Sequence, residues 1–189
     1  MDYKTQAIFL SDDDIYFRPA DLEFAFQMWR LYGRKQLTGG MARCTSLAPD
    51  GTWKYTFCEN KSSYNMIITN LAFSHVAILD AYNSDDPIAI EMRRYVDEQF
   101  NCEDIALNFI AAHVSGSGPL LVRGRQQYVD ISPSVGISKD PRHMAKRHAC
   151  VNHFVKTMGC MPLIEVEGRI EHGIKHNVWY TTFKDRLWG

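Results

Sequence analysis

No stretch of the chain approaches the roughly 20 consecutive apolar residues that a membrane span needs. Met1-Asp2-Tyr3-Lys4 carries no apolar leader either. Basic clusters are also missing. Lys and Arg number 21 against 22 Asp and Glu, and Arg93-Arg94 and the stretch 142–147 are too sparse to form a cationic face. Binding to a phosphate backbone needs such a face, so nucleic acid is excluded as the expected partner. The five cysteines, Cys44, Cys58, Cys102, Cys150 and Cys160, include no Cys-x-x-Cys pair and no finger spacing, which argues against structural zinc. On their own they fit either a reduced compartment or one disulfide with buried free thiols. There is no glycine-rich phosphate loop with a lysine, no internal repeat and no low-complexity segment.

What the chain does have is a run of three acids, Asp12, Asp13 and Asp14, directly after the apolar run Ala7-Ile8-Phe9-Leu10. Three adjacent like charges repel one another unless a cation sits among them, and a buried strand ending there would aim them at one place. Oxygen ligands select hard ions such as Mg²⁺, Mn²⁺ or Ca²⁺, and Mg²⁺ or Mn²⁺ held by one or two carboxylates completes its shell with substrate phosphates. A solvated loop or a cap for the following helix would carry the same residues.

At 189 residues the chain is one domain or slightly more, with alternating strands and helices that indicate α/β layers. Pro19 opens a helix over 20–32 with Leu22, Ala25, Phe26 and Trp29 on one face. Strands are expected over 37–43, over 52–57 with Trp53, Tyr55 and Phe57 alternating, and over 66–73. Helices follow over 74–82 and from Asp86-Pro87 to Phe100. Asn101 is expected to cap a helix over 102–113 that stops at Gly116. Short strands over 118–123 and 127–131, a loop over 132–138 and a helix over 141–158 ending before Gly159 complete the pattern, and the tail from Met161 has no strong period.

Asn101-Cys102-Glu103-Asp104 places two acids in a helix's first turn, where they complement the free N–H groups and the helix dipole. A carboxylate held there is also placed to position an acceptor hydroxyl or take its proton. His143, His148 and His153 recur every five residues, which spreads them around the last helix and rules out a two-histidine zinc face.

Several ordered motifs together resemble the exostosin C-terminal domain, glycosyltransferase family 64. They are Ile8-Phe9-Leu10-Ser11-Asp12-Asp13-Asp14, Phe24-Ala25-Phe26, Trp29-Arg30, Trp53-Lys54-Tyr55, Asn101 to Phe109, Arg147-His148-Ala149-Cys150-Val151-Asn152 and Met161-Pro162-Leu163. The resemblance implies a GT-A type nucleotide-sugar transferase fold, a mixed sheet flanked by helices. It places the domain at 1–165 with a tail at 166–189. It also implies retaining transfer of a sugar, typically an N-acetylhexosamine, from a UDP-sugar to a glycan or glycolipid acceptor with Mn²⁺. In the same terms Asp12 to Asp14 look like a DxD motif, with Asp14 the metal ligand and Asp12 and Asp13 near the ribose and donor sugar. Asn101, Glu103 and Asp104 look like contacts to donor and acceptor, and Arg147 like the arginine that stabilises the diphosphate. Asp104 and Arg147 are the catalytic candidates. Cys102 and Cys150 match a family disulfide, and a Golgi or endoplasmic reticulum lumen follows by resemblance.

Two departures from the family pattern stand out. Asn70 and Leu71, in Ile68-Thr69-Asn70-Leu71-Ala72-Phe73, replace a glycine and a small residue, an exchange expected to narrow or retune the acceptor site. The family's first, nucleotide-binding α/β half has no counterpart in this chain. The competing expectations are therefore a catalytically incomplete fragment or glycan-binding remnant and, less favoured, metal-dependent phosphoryl or nucleotidyl transfer.

Overall fold

The computed structural model describes residues 3–58, 62–126, 128–133 and 140–173. Five strands form the larger sheet. β1 (Ala7–Ser11) pairs antiparallel with β7 (Leu71–His75), β7 antiparallel with β3 (Thr38–Gly39), β3 parallel with β8 (Leu120–Arg123), and β8 parallel with β10 (Arg169–Glu171). The mixture of parallel and antiparallel neighbours agrees with the α/β expectation. A second sheet has the antiparallel order β5 (Trp53–Thr56), β4 (Ala42–Leu47), β6 (Met66–Ile67), and β2 (Ile15–Tyr16) pairs with β9 (Val129–Asp130).

Several expected elements take a different form. The strand before the acids is a half-buried edge strand; the buried neighbour is β7, where Leu71 and Ala72 are fully enclosed. The strands expected over 37–43 and 66–73 each break in two, because the chain passes from the larger sheet to the smaller at the first and back again at the second. The crossing is tight. A Cβ on Gly39 would lie 2.4 Å from the Leu71 carbonyl oxygen, so only glycine fits there. Gly40 N–H donates to Leu71 O at 3.2 Å and Ile68 N–H to Met41 O at 2.9 Å, which ties the two crossings together.

The first helix, α1, spans Pro19–Met28 rather than reaching residue 32, and widens into a π turn over Trp29–Gly33. Its Asp21 is buried because its carboxylate accepts the Arg125 and Gln126 N–H groups at 2.8 and 3.1 Å. α2 (Val76–Tyr82) and α3 (Pro87–Gln99) match expectation, and Asp86 caps α3 by accepting from Ile88 N–H and Ala89 N–H. α4 (Glu103–Ser115) is enclosed on all sides from Asp104 to Ala112, so its expected apolar face is only part of what it buries. α5 (His143–Met158) ends at Gly159 in the left-handed conformation that suits glycine. Phe109 of α4 meets Phe154 of α5 edge to face, with ring centroids 5.7 Å apart, in the main core.

The loop read over 132–138 lies largely outside the described residues. The segment after 165 contributes β10 to the sheet, where Tyr64 N–H donates to Val166 O at 2.9 Å and Tyr64 O–H to Gly168 O at 2.6 Å. Among the described residues no helix is long and apolar enough to cross a membrane.

Candidate functional site

A cleft of about 860 Å³ opens where the end of β1, the β6–β7 turn, the α3–α4 junction and the start of α5 converge. Its chemistry begins with the backbone of the α3–α4 junction. Phe100 and Cys102 both adopt left-handed conformations, with φ of 49° and 76°, and Asn101 lies between them. Such conformations are costly for residues with a Cβ and persist where the surroundings enforce them. Phe100 is the C-cap of α3, and the Cys102–Cys150 disulfide fastens the turn to α5 and bears out the pairing implied by resemblance. A second disulfide, Cys44–Cys58, joins β4 to the segment after β5, and Cys160 is free and exposed. The odd count therefore resolves into two bridges and one exposed thiol, where either a reduced compartment or one bridge with buried free thiols was expected.

Asn101 does not cap α4. Cys102 holds the cap position, and its left-handed turn points the Asn101 side chain toward α5. There Asn101 Oδ1 accepts from Arg147 Nη1 at 3.2 Å, and Nδ2 lies 3.2 Å from His143 Nδ1. Glu103 and Asp104 do occupy the first turn of α4, at the positive end of its dipole.

Arg147 is buried at the centre of the site, 6 % exposed, against Asp104 at 4 %. Its Nη2 donates to Asp104 Oδ2 and, at 3.0 Å, to the Tyr55 hydroxyl, and its guanidinium lies 4.3 Å from the centroid of the Tyr55 ring. Desolvation works against the charged guanidinium, yet the Asp104 carboxylate and Tyr55 raise its pKa above the ordinary value. Burial first, and the Asp104 charge second, push the Tyr55 hydroxyl up as well.

Tyr55 is a site residue that its place in an alternating strand does not reveal. It is positioned by α5. His148 Nδ1 accepts the Tyr55 N–H at 3.0 Å, while Asn152 Oδ1 accepts the Trp53 N–H at 2.9 Å and its Nδ2 donates to the Trp53 carbonyl at 2.7 Å. Helix side chains thus complete the backbone pairing of β5, which explains why His148 and Asn152 sit one turn apart beside Arg147.

Asp12 and Asp14 line the cleft, whereas Asp13 is exposed and lies outside its lining. Desolvation, then the charges of Asp14, Asp104 and Asp13, raise the Asp12 pKa. Glu103 reaches solvent, but its carboxylate sits in the recess, where desolvation and then the Asp104 charge raise its pKa too. Neighbouring carboxylates repel one another and so favour the protonated form. Among the described residues no three His, Cys, Asp or Glu side chains gather into a metal cage. Asp12 and Asp14 offer the cleft oxygen donors, which suit a hard divalent ion whose shell is completed by a ligand's own oxygens. Asp97 and Asp130 add further acids to the lining, and Arg43, His143 and Phe57 join it as well. The five-residue spacing of the histidines carries no signal for this, because the partner of His143 is Asn101, in the α3–α4 turn.

Fold and cleft define a mixed α/β domain with an acidic, oxygen-rich binding site. The chain belongs to glycosyl transferase family 64, whose domain model matches residues 1–174. It is 33% identical over 172 residues to exostosin-2 of Homo sapiens, covering 89% of this chain and 23% of that protein. It is 37% identical over 185 residues to glucosamine inositolphosphorylceramide transferase 1 of Arabidopsis thaliana, covering 93% and 23%. With glycosylinositol phosphorylceramide mannosyl transferase 1 of the same plant it shares 31% identity over 186 residues, covering 95% and 53%. The chain thus spans about a quarter of the length of the first two relatives.

Proposed function

We propose that this domain transfers a sugar, an N-acetylhexosamine by family resemblance, from a UDP-sugar to a hydroxyl of a glycan or glycolipid, retaining the anomeric configuration on a GT-A type fold. The observation that carries the reading is the division of labour among the cleft's carboxylates. Asp12 and Asp14 line the cleft at the end of β1, while Asp104 gives one oxygen to Arg147 and keeps Oδ1 buried and unpartnered. Asp14 would hold Mn²⁺ with Asp12 beside it, and the bound ion would supply positive charge against the departing diphosphate. Asp12 contacts the ribose and donor sugar, and Asp13, outside the cleft lining, takes no part in this reading. Asn101 and Glu103 contact the sugars at the reacting centre. Arg147 adds charge near the diphosphate and fixes Asp104, whose free oxygen accepts the hydrogen bond of the acceptor hydroxyl and orients it for attack.

The acceptor class follows the relatives whose names include inositolphosphorylceramide. Two disulfides suit an oxidising lumen, Golgi or endoplasmic reticulum. Calorimetric titration with UDP and Mn²⁺, separately and together, tests the reading. The expected result is mutually dependent binding that disappears in Asp14→Ala while its circular dichroism stays native. Unchanged binding in that variant sinks the metal assignment. Absence of UDP binding in the unmodified chain favours a glycan-binding domain without a donor.

A further inference from the structure

The structure points to a residue that reads the sugar itself. Among the described residues, five buried side-chain nitrogen or oxygen atoms lack a hydrogen-bond partner. Three of them, Asp104 Oδ1, Arg147 Nε and Asn70 Oδ1, belong to residues that line the cleft. The first two belong to the pair already described. Asn70 stands apart from it, in the turn between β6 and β7.

Its backbone is fixed on the acidic wall. The Asn70 carbonyl accepts the Asp12 N–H at 3.2 Å, Ile68 is tied to Met41, and Leu71 to Gly40. The side chain therefore projects from a braced turn, with one end of its amide enclosed and unmet. A buried polar atom without a partner costs stability, and persists where a ligand supplies what the protein does not.

The surroundings select the ligand group. The unmet atom is an acceptor, Oδ1, so a phosphate or carboxylate oxygen, an acceptor itself, cannot satisfy it. A hydroxyl can, because it both donates and accepts and so satisfies either end of an amide. We infer that Asn70 is a specificity-determining residue whose side-chain amide hydrogen-bonds a hydroxyl of a neutral sugar ring seated in the cleft beside Asp12. This rests on the cleft being a sugar site, as in the reading above.

The test titrates the whole chain, in the presence of UDP and Mn²⁺, with methyl α-mannoside, methyl β-N-acetylglucosaminide, methyl β-galactoside and the monodeoxy analogues of each, followed by ligand-observed NMR. The expected result is that one glycoside binds about 3- to 10-fold more tightly than one of its monodeoxy analogues, the loss typical of a single hydrogen bond. Asn70→Ala and Asn70→Gly, each folded and at least as thermally stable as the natural sequence, should bind the two alike. Retained discrimination in both variants overturns the proposal, as does the absence of discrimination in the natural sequence. Calorimetry of UDP on the same samples separates the two readings. Lost UDP binding with Asn70-dependent discrimination intact fails the transferase reading alone, and intact UDP binding without that discrimination fails Asn70 alone.

Discussion

Removing the Arg147 guanidinium strands the Asp104 carboxylate at 4 % exposure, with Tyr55 and Asn101 losing their donor as well. Breaking a buried ion pair from one side typically costs about 3–5 kcal/mol, whereas replacing both members by apolar residues of similar volume is often neutral. Arg147→Met should therefore unfold at markedly lower urea concentration, and Asp104→Leu combined with Arg147→Met should regain most of that loss. If the double variant recovers its stability but neither variant turns over a donor, the pair is retained for chemistry. Equal destabilisation of the single and double variants would instead make it a structural brace. His148 gives a second test at this scale. Burial first, and Lys54 second, lower its pKa from the usual value near 6.5, consistent with its Nδ1 accepting the Tyr55 N–H. His143 is lowered in the same direction, by burial and then Arg147. Below pH about 6.5 the unfolded chain takes up protons that the folded chain resists, so stability falls as the pH drops through that value and is restored above it. Thermal melts from pH 7.5 to 5.5 in metal-free buffer should show this decline. His148→Asn, whose amide oxygen can take the place of Nδ1, should reduce it to the share that His143 carries.

At the scale of elements, the α3–α4 turn and α5 act as one unit. The Cys102–Cys150 bridge spans 48 residues and Cys44–Cys58 spans 14. Chain-entropy arguments put their contributions at about 4 and about 3 kcal/mol. Stability alone would barely distinguish their removal, but position does. Cys102 is itself the left-handed residue that swings Asn101 onto Arg147, so Cys102→Ala with Cys150→Ala should weaken ligand binding beyond what its lowered urea midpoint explains. The pair Cys44→Ala and Cys58→Ala should lose stability and leave binding near normal. Helix limits at Asp86-Pro87, Gly116 and Gly159 were legible in the sequence because caps and stop glycines act locally. The Asn101 turn was misread because Asn before two acids has the composition of a cap. The deciding contact, a disulfide to a residue 48 positions away, has no local signal. Tyr55 was hidden for a related reason. Inward alternation marks burial, and only the packing of α5 on β5 turns that burial into contact with Arg147.

For the whole molecule, the α/β class and the position of the acids at a strand end followed from periodicity and charge, while the sheet order did not. Strands of two residues, such as β3 and β6, are too short to carry a period, and the chain's two crossings between sheets depend on pairings far apart in sequence. The same limit hid β10. Arg169–Glu171 lies in a stretch without alternation, yet it pairs in parallel with β8, with Ile170 opposite Val122, and Tyr64 reaches past it to Gly168. Tyr64 O–H lies 2.6 Å from Gly168 O, and its oxygen accepts the Leu121 N–H at 2.9 Å, so one buried hydroxyl joins the β6 side, β8 and the segment leading into β10. A chain ending after residue 165 would strip β8 of its outer neighbour β10, remove the Val166 and Gly168 partners of Tyr64 and expose a backbone edge beside Leu121 and Val122. Such an edge both loses pairing and invites other strands. That truncation should therefore melt lower and associate on concentration, as read by light scattering, whereas a chain ending after 174, where the family match ends, should remain close to the natural sequence in both. If the two truncations behave alike, β10 is an appendage to the sheet and the domain's boundary lies before it.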